Sequence, residues 1–408
     1  MKTHDIIVFD SLFGNIFLKP IAFLLKIKKY LFNKQAGSFP EPKTILICKF
    51  KGMGSIIQST PLIKSLRNNF PNARLVYLST SANKTLLDKI DILDEVLTLN
   101  DSTLLNLIKG LYYLIIKLKE LQIDYYYDLE VYSNFSAFTT SISGAKIKSG
   151  FYTQKSSFRK SLYHNAVQFE PGISVNELHI KLTKFRTLHE DAHTEKNSLY
   201  CFKSDIDYPG RLFQKLGITS KRADNWDLEY ILINPNTSDL RIERRWPKEN
   251  FIVLIEKICH EFPEVKIILT GNRQEIEYTT GIVTKINPYF RNNVVSAAGK
   301  ITLDEFSSLL EHSLLFITND TGPMHLAFSL NIRTLALFGP CNPEFYEIPF
   351  QTKIYYKRVT CSPCVHTTLL PPCWGNNVCM KSISMEEVFK EASECLAKNN
   401  LQVKTATF

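Results

Sequence analysis

Residues 44–78 read TILICKFKGMGSIIQSTPLIKSLRNNFPNARLVYL, and this stretch has the pattern of a parallel α/β sheet. Thr44–Cys48 is a short apolar run typical of a buried parallel strand, and Lys49–Ser55 is a turn that contains two glycines. A helical pattern of apolar residues follows, and Ala73–Leu78 is predicted to be the second strand. Strand, glycine turn, helix and strand form the βαβ unit of a doubly wound sheet.

The alternation of strands and helices continues along the chain. One charged stretch that is poor in apolar residues divides it into two series. A second series of strands and helices begins with the predicted strand Tyr230–Asn234. Two series of similar length predict an α/β protein with two Rossmann-like domains that face a central cleft. The predicted limits are a membrane-associating segment and loop at 1–43, an amino-terminal domain at 44–217, a linker at 218–228, a carboxy-terminal domain at 229–384 and a final helix and tail at 385–408.

The composition is that of an ordinary globular protein. Of 408 residues, 44% are hydrophobic and 22% are charged, which excludes global disorder. The net charge of +9 favours anionic surfaces, but the basic residues are too dispersed for a nucleic-acid-binding protein, so no nucleic acid partner is predicted. Nine cysteines, an odd number, fit a reducing compartment.

The amino-terminal segment differs from the rest of the chain. No acidic residue occurs from Ser11 to Pro40, where five lysines are interspersed with large apolar residues. No uncharged run approaches the roughly 20 residues of a spanning helix, and the apolar block Ile21–Leu25 is too short for a signal peptide. We therefore predict an amphipathic helix that binds an anionic membrane surface through residues 11–34. The alternative is a helix packed on the protein's own surface.

The strongest local signal is Phe316–Ala327, FITNDTGPMHLA. A predicted strand ends here and a helix begins at once, so free backbone N–H groups and the helix dipole favour an anion. Gly322 permits a phosphate to approach closely, Thr321 adds a hydroxyl group, and His325 lies one turn into the helix. Asp320 has the wrong charge for a phosphate, so we assign it to helix capping or to a ribose. The alternative is an N-capped core helix whose histidine is satisfied internally.

A second signal is Asn234–Pro247, NPNTSDLRIERRWP. A predicted strand leads into hydroxyl groups and then into three arginines, Arg241, Arg244 and Arg245. Hydroxyl donors combined with cations suit a diphosphate, whose negative charge must be neutralised as it leaves. The alternative is a solvated basic loop.

Together these blocks resemble glycosyltransferase family 9, the ADP-heptose:lipopolysaccharide heptosyltransferases. The resemblance spans about residues 44–390 and is carried by Ile45–Pro61, Leu232–Pro247, Ile267–Gly271 and Phe316–Pro343. Its most specific part is Asn-Asp-Thr-Gly-x-x-His followed by Phe-Gly-Pro. The resemblance implies a GT-B fold, an inverting transfer reaction and no cofactor for the transfer.

Pattern and resemblance together assign roles to individual residues. Donor binding is assigned to Thr237, Ser238, Arg241, Glu275, Ile301, Asp320, Thr321, Gly322 and His325. A turn of the acceptor domain, expected at the cleft, contains Lys49, Lys51, Gly52 and Gly54. Arg244 matches a basic residue, usually lysine, that stabilises the departing diphosphate, and it offers a fork of donors instead of a point charge.

One position departs from the family pattern. The first turn of the family normally contains Gly-Asp, whose aspartate is the proposed base, and here the dipeptide is Gly54-Ser55. A serine hydroxyl is far too weak a base at neutral pH. Either Asp128 or Glu130 replaces the aspartate, or the chain binds a donor and transfers slowly or not at all. The candidate catalytic residues are therefore Arg244, Ser55, Glu130 and Asp128.

Four cysteines in the loop 361–379 are candidate metal ligands. Cys361, Cys364, Cys373 and Cys379 have the spacing C-x2-C-x8-C-x5-C, and His366 is a substitute ligand. Four thiolates in one short loop suit a structural zinc ion. Because the second pair lacks the C-x2-C spacing, free thiols or a disulfide formed on purification are the alternatives.

The sequence thus predicts a glycosyltransferase on the cytoplasmic face of the inner membrane of a Gram-negative-type bacterium. Its expected donor is a nucleoside-diphosphate sugar, by default ADP-heptose. Its expected acceptor is a lipid-linked saccharide of the envelope, such as the lipopolysaccharide core. Two alternatives stay open: a catalytically silent sugar-nucleotide-binding partner protein at the membrane, which Ser55 indicates, and a transferase for a different sugar.

Overall fold

The computed structural model describes residues 10, 14–31, 41–184, 199–206, 209–218, 228–237, 239–365, 368 and 371–406. The chain divides into two compact units. The first comprises Met1–Tyr200 together with Phe345–Glu347, and the second comprises Cys201–Glu344 together with Ile348–Phe408. Among the described residues, each unit is built around a parallel six-stranded sheet.

In the first sheet the order of the strands reverses beside the first strand. Its strands are β1 (Thr44–Cys48), β2 (Arg74–Thr80), β3 (Glu95–Leu99), β4 (Tyr125–Asp128), β5 (Ile147–Tyr152) and β6 (Asn165–Gln168). All neighbours are parallel in the order β3-β2-β1-β4-β5-β6. Ligand-binding groups of such sheets collect outside the carboxyl ends of the strands at this reversal.

Helices cover both faces of the first sheet. They are α1 (Lys19–Leu31), α2 (Met53–Ile57), α3 (Thr60–Asn69), α4 (Lys84–Leu87), α5 (Leu104–Glu120), α6 (Asn134–Ile142) and α7 (Val175–Lys181). The helix α3 joins β1 to β2, whereas α5 and α6 belong to connections that cross the sheet in the opposite direction. Because such crossovers are right-handed, α5 and α6 lie on the face opposite to α3.

The second unit repeats this plan. Its strands are β7 (Tyr230–Asn234), β8 (Lys266–Leu269), β9 (Val294–Ser296), β10 (Leu315–Asn319), β11 (Thr334–Phe338) and β12 (Thr352–Tyr356), in the order β12-β11-β10-β7-β8-β9. Its helices are α8 (Gly210–Lys215), α9 (Lys248–Glu261), α10 (Ile276–Val283), α11 (Leu303–Glu311), α12 (Gly322–Ser329), α13 (Val378–Lys381) and α14 (Met385–Ala406). The carboxyl ends of β7 and β10, adjacent at the reversal, carry the polar loops identified in the sequence.

The central strands were the most predictable elements. The bounds of β1 and β7 are the predicted ones, and every residue of these strands is buried. The strands β6 and β12 and the helix α6 were not predicted from the sequence. The two strands lie at sheet edges and are mostly only partly buried, so they lack a continuous apolar run. The helix α6, NFSAFTTSI, is rich in serine and threonine, which also favour turns.

The linker predicted at 218–228 stays a prediction. Most of the predicted linker, 219–227, lies outside the described residues, and the division between the units follows Tyr200. The helix α8 belongs to the second unit, because the rings of Phe213 and Tyr230 lie 5.3 Å apart and Lys215 pairs with Glu305 at 2.7 Å.

The amino-terminal segment forms a helix that packs on the first unit by one side only. Leu18 and Ala22 are buried in a cluster with Ala137 of α6, Leu162 and Tyr163. On the other side, large apolar side chains are 40–65% exposed: Ile16, Phe17, Phe23, Leu24 and Ile27. The two alternatives from the sequence are therefore compatible, since one side packs on the protein and the other stays open. In the part of the chain that the structure describes, no helix is both long enough and apolar enough to span a bilayer.

Candidate functional site

One asparagine side chain fixes the polar loop of the second unit against the sheet. The amide of Asn319, the last residue of β10, donates to the carbonyl oxygens of Pro235 (3.0 Å) and Asn236 (3.1 Å). Its Oδ1 accepts a hydrogen bond from the backbone N–H of Trp246 at 3.1 Å. Because Pro235 and Trp246 lie at the two ends of the loop that follows β7, this buried amide holds both ends in place.

The end of β10 turns directly into the helix α12. Thr321 is the N-cap residue, with an extended backbone (φ −148°) and no side-chain cap bond, and Gly322 is the first residue of the helix. The Thr321 hydroxyl instead accepts a hydrogen bond from the amide of Asn234 at 3.0 Å. Pro323 has no N–H, and the N–H of Met324 donates to the carbonyl of Thr321 at 3.2 Å. The N–H of Gly322, which no capping side chain occupies, is therefore the group at this helix start that suits an anionic ligand.

Arg244 and Asp320 form an ion pair beside this helix start. Nη1 of Arg244 lies 3.4 Å from Oδ2 of Asp320, and the side chains are 19% and 1% exposed, respectively. Burial raises the pKa of Asp320 by more than the charge of Arg244 lowers it. The pKa of this carboxyl group is therefore raised. Arg244 is thus paired with a buried carboxylate, while part of its side chain is exposed to solvent.

His325 lies in α12 close to the same ion pair. It is 4% exposed, and its ring packs edge-on against Phe328 at a centroid distance of 5.9 Å. Burial, reinforced by the charge of Arg244, lowers its pKa to about 3. The imidazole is therefore neutral at physiological pH.

Other predicted donor residues shape the loop. The Thr237 hydroxyl donates to the carbonyl of Arg241 at 2.9 Å. Arg241 donates to Glu243 at 3.0 Å and to the carbonyl of Thr368 at 2.9 Å, so both partners lie in the second unit itself. Ser238 lies outside the described residues. Of the three arginines of this motif, Arg244 is the one whose ion pair with Asp320 lies at the start of α12.

Glu275 and Ile301 lie in other loops of the second unit. The Glu275 carboxylate accepts from the backbone N–H of Asn272 at 2.8 Å, in a capping box. Ile301 is half-buried in the segment before α11. Gly271 precedes the Glu275 loop and packs closely against the loop that follows β7. A Cβ atom at this position would lie only 2.7 Å from Nδ2 of Asn236. The assignment of Glu275 and Ile301 to donor binding stays a prediction.

In the first unit, the predicted acceptor turn follows β1. Gly52 has φ +87°, a conformation that glycine adopts without strain, and it precedes α2. Ser55 is exposed in the first turn of α2, whereas Gly54 is buried and Lys51 is exposed. The residue that replaces the family aspartate is therefore accessible.

Glu130 holds this turn. Its Oε2 pairs with Nζ of Lys49 at 2.9 Å, and its Oε1 accepts from the backbone N–H groups of Phe50 (2.9 Å) and Lys51 (3.0 Å). Burial raises the pKa of Glu130, but Lys49 and the two N–H groups outweigh it, so the net pKa is lowered. A carboxylate bound in this way positions the turn well and is a weak base.

Asp128 belongs to a buried network. Its Oδ2 accepts hydrogen bonds from the Tyr163 hydroxyl (2.6 Å) and the Ser136 hydroxyl (3.1 Å), and it pairs with Arg159 at 3.2 Å. Asp128 is 0% exposed, and burial, partly offset by Arg159, raises its pKa. With no exposed surface it has a structural role in this conformation, and its predicted role as a base stays a prediction.

His179 in α7 is a polar group near this turn that the sequence analysis did not single out. It is 5% exposed, and its Nδ1 has no hydrogen-bond partner. Burial lowers its pKa to about 3, the charge of Lys49 adds to this effect, and a hydrogen bond with the Gln58 backbone opposes it. The sequence does not show that His179 lies near the turn after β1, because the two are far apart in the chain.

The four cysteines of the loop 361–379 are near one another but do not converge. Burial raises the pKa of Cys379 to about 11, and the other three thiols add to this effect. Among the residues that the structure describes, no group of three or more His, Cys, Asp or Glu side chains is arranged to hold a metal ion. His366, the substitute ligand, lies outside them. The zinc site stays a prediction.

Comparisons with known proteins place this geometry in context. Residues 114–374, more than half of the chain, match the family model for glycosyltransferase family 9 (heptosyltransferase). The lipopolysaccharide heptosyltransferase 1 of Campylobacter coli is 24% identical over 357 residues, which are 86% of this chain and 98% of that protein.

Solved structures share the fold. The ADP-heptose lps heptosyltransferase II of E. coli aligns with a TM-score of 0.67 and 19% identity, over 88% of this chain and 99% of that one. The glycosyl transferase family 9 structure from Veillonella parvula aligns equally well, with a TM-score of 0.67 and 19% identity over 87% and 97%. The expected α/β architecture of the GT-B type is confirmed.

The buried histidine His325 predicts a pH dependence of stability. Its folded pKa of about 3 lies below the unfolded value of 6.5, so the folded state binds fewer protons between these pH values. Stability that is present above pH 6.5 is therefore lost as the pH falls, by about 2 kcal/mol for this group between pH 7.5 and 5. We expect His325→Gln to remove this part of the change with pH in the free energy of unfolding, measured by urea unfolding. The substitution His260→Gln, at an exposed position, should keep the wild-type dependence on pH. An unchanged dependence on pH in His325→Gln would contradict the burial of the imidazole.

Proposed function

The chain belongs to glycosyltransferase family 9, and we propose that it transfers heptose from ADP-heptose to the lipopolysaccharide core on the cytoplasmic face of the inner membrane. It is a glycosyltransferase, as its family and fold require. Its relatives include lipopolysaccharide heptosyltransferases 1 and 3, and this supports the sugar and the acceptor. The name of the aligned E. coli enzyme supports ADP-heptose as the donor.

The observation that carries the proposal is the position of Arg244 at the start of α12. In an inverting transfer the sugar leaves its diphosphate, so negative charge grows on the phosphate oxygens. The exposed part of the Arg244 side chain and the backbone N–H of Gly322 at the helix start supply positive charge for these oxygens. Gly322, which has no side chain, lets the phosphate approach the helix start.

Asp320 and His325 complete this donor site in different ways. Asp320 fixes the guanidinium before the donor binds, so little reorganisation is needed when charge develops. His325 stays neutral, so it donates or accepts a hydrogen bond without a change in the charge of the site. The transfer itself needs no cofactor in this proposal.

The base is the open question of the mechanism. Ser55 cannot act as one, and Glu130 is bound to Lys49 and to the backbone of the turn. We propose that leaving-group neutralisation carries most of the catalysis, because an oxocarbenium-like transition state forms before the acceptor hydroxyl must lose its proton. Glu130 then positions the turn.

The second candidate function is a catalytically silent protein that binds a sugar nucleotide. It is favoured by Ser55, which is exposed where the family has an aspartate, and by the engagement of Asp128 and Glu130. Such a protein would keep the donor site of the second unit but would not catalyse the transfer.

Release of nucleoside diphosphate from a panel of sugar nucleotides, with bacterial membrane extract as acceptor source, separates these functions. We expect acceptor-dependent release from ADP-heptose, which an Asp320→Ala, His325→Ala variant loses. Arg244→Ala should lower the rate about 100- to 1000-fold, because it removes charge stabilisation of the leaving group. Arg244→Lys should restore much of the rate.

The neighbouring Arg245 is the matched control for Arg244. Its guanidinium lies 4.0 Å from the ring centroid of Tyr278, so Arg245→Ala removes an arginine without touching the ion pair. We expect its rate to stay within about threefold of wild type, as for a loss of modest stacking energy. Tight donor binding without release from any donor would favour the silent protein.

Glu130→Gln tests the role of the carboxylate. The amide keeps an oxygen for the backbone N–H groups but loses the ion pair with Lys49. For a positioning role we expect a loss of about tenfold or less, the same loss in Lys49→Met, and no added loss in the double variant. A loss of more than about 100-fold in Glu130→Gln alone would identify it as the base.

The zinc prediction concerns stability and not transfer. We expect about one zinc ion per chain in protein purified without chelator. The zinc should be lost in the double variant Cys361→Ser, Cys364→Ser. It should be kept in Cys395→Ser, which changes a buried cysteine outside the loop. Less than about 0.2 zinc per chain would contradict the zinc prediction.

The open side of α1 supports membrane association. The residues 14–31 contain no acidic side chain, and the exposed apolar residues face away from the first unit. We propose that this side enters the boundary of an anionic bilayer, where a lipid-linked acceptor is found.

A further inference from the structure

A second helix of the first unit also exposes an apolar face. In α5, Leu105, Ile108, Tyr112, Tyr113 and Ile116 are 42–71% exposed. Residues 105, 108, 112 and 116 recur at helical spacing and form one stripe. On the inner side of α5, Leu114 and Leu118 are buried in the core of the sheet. The helix is therefore apolar on two sides, and the protein covers one of them.

The exposed faces of α5 and α1 lie on the same side of the first sheet. Leu114 and Leu118 of α5 share their core cluster with Phe135 of α6. Ala137 of the same helix α6 packs against Leu18 and Ala22 at the start of the amino-terminal helix. Thus α6 lies between α5 and α1, and both flanking helices are on its face of the sheet.

Both faces have the residue types of a membrane interface. Lys109 and Lys119 are exposed on α5, and Lys19 and Lys26 are exposed on α1. Lysines of this kind extend to headgroups while apolar side chains enter the acyl boundary. Tyr112 and Tyr113 add rings with a polar end, which are enriched at this depth.

We propose that α5 and α1 together form one membrane-binding face, and that its ligand is an anionic lipid bilayer. The inference rests on the proposed function, since a lipid-linked acceptor requires the first unit at a membrane. Its new element is α5: the amino-terminal helix is one of two contacts and does not suffice alone. A second copy of the chain fits this face less well, because a two-fold interface would bring lysines of like charge together.

Flotation of the full chain with vesicles of phosphatidylethanolamine and phosphatidylglycerol tests this proposal. The variant carries Leu105→Gln, Ile108→Gln, Tyr112→Gln and Ile116→Gln, because glutamine is a good helix former and these side chains are exposed. We expect its vesicle partition to fall about tenfold or more, and wild-type binding to weaken with salt and on neutral vesicles. Circular dichroism and the unfolding midpoint check that the variant is folded.

The matched control removes apolar side chains of comparable exposure from the second unit. Ile276→Gln with Tyr289→Gln changes residues that are 44% and 85% exposed, and it should leave partition unchanged. A second variant changes Phe23, Leu24 and Ile27 of α1 to glutamine and leaves Leu18 and Ala22 in the core. We expect an intermediate loss from it, and complete loss when it is combined with the α5 variant.

Two results would overturn the inference. One is unchanged partition in the α5 variant. The other is a wild-type dimer that the α5 variant converts to a monomer in sedimentation, which would make the face a contact between copies. Flotation does not require turnover, whereas nucleoside diphosphate release from a detergent-solubilised acceptor does not require the bilayer. Failure of the proposed function and failure of this face are therefore distinguished.

Discussion

The amide of Asn319 is the interaction on which the proposed donor site of the second unit depends. It binds both ends of the loop after β7 and so determines where Arg244 lies relative to the start of α12. Two of its hydrogen bonds are to backbone carbonyls and one is to a backbone N–H, so no aliphatic or acidic side chain replaces it. Because the amide is buried, loss of one partner would leave polar groups unsatisfied, at a cost of about 1–3 kcal/mol each.

Both units place a buried carboxylate at the end of a central strand and use it to hold a cation. Glu130 holds Lys49 in the first unit, and Asp320 holds Arg244 in the second. The consequences differ because the environments differ: three close donors lower the pKa of Glu130, whereas burial with one distant arginine raises that of Asp320. The two ion pairs also differ in geometry, since the Lys49–Glu130 distance is 2.9 Å and the Arg244–Asp320 distance is 3.4 Å.

The sequence predicted the buried strands and the start of α12 because both are local patterns. An apolar run such as Thr44–Cys48 or a Thr-Gly-Pro helix start needs no knowledge of the rest of the chain. It did not predict that Glu130 would bind the turn after β1, or that Arg241 and Arg244 would have different partners. Those facts depend on contacts between residues far apart in sequence, and an arginine has the same pattern whether its partner is Glu243 or Asp320.

The distribution of exposed apolar side chains bears on how the units divide the reaction. In the first unit they concentrate on α1 and α5, whereas in the second unit those of the described residues, such as Tyr289, Phe350 and Trp374, are scattered along the chain. Scattered apolar residues are normal at a protein surface, but a contiguous set requires a partner. A lipid-linked acceptor is confined to the bilayer, while a sugar nucleotide is dissolved in water. The proposed roles match these places, because the apolar helix faces lie on the unit that we propose binds the lipid-linked acceptor.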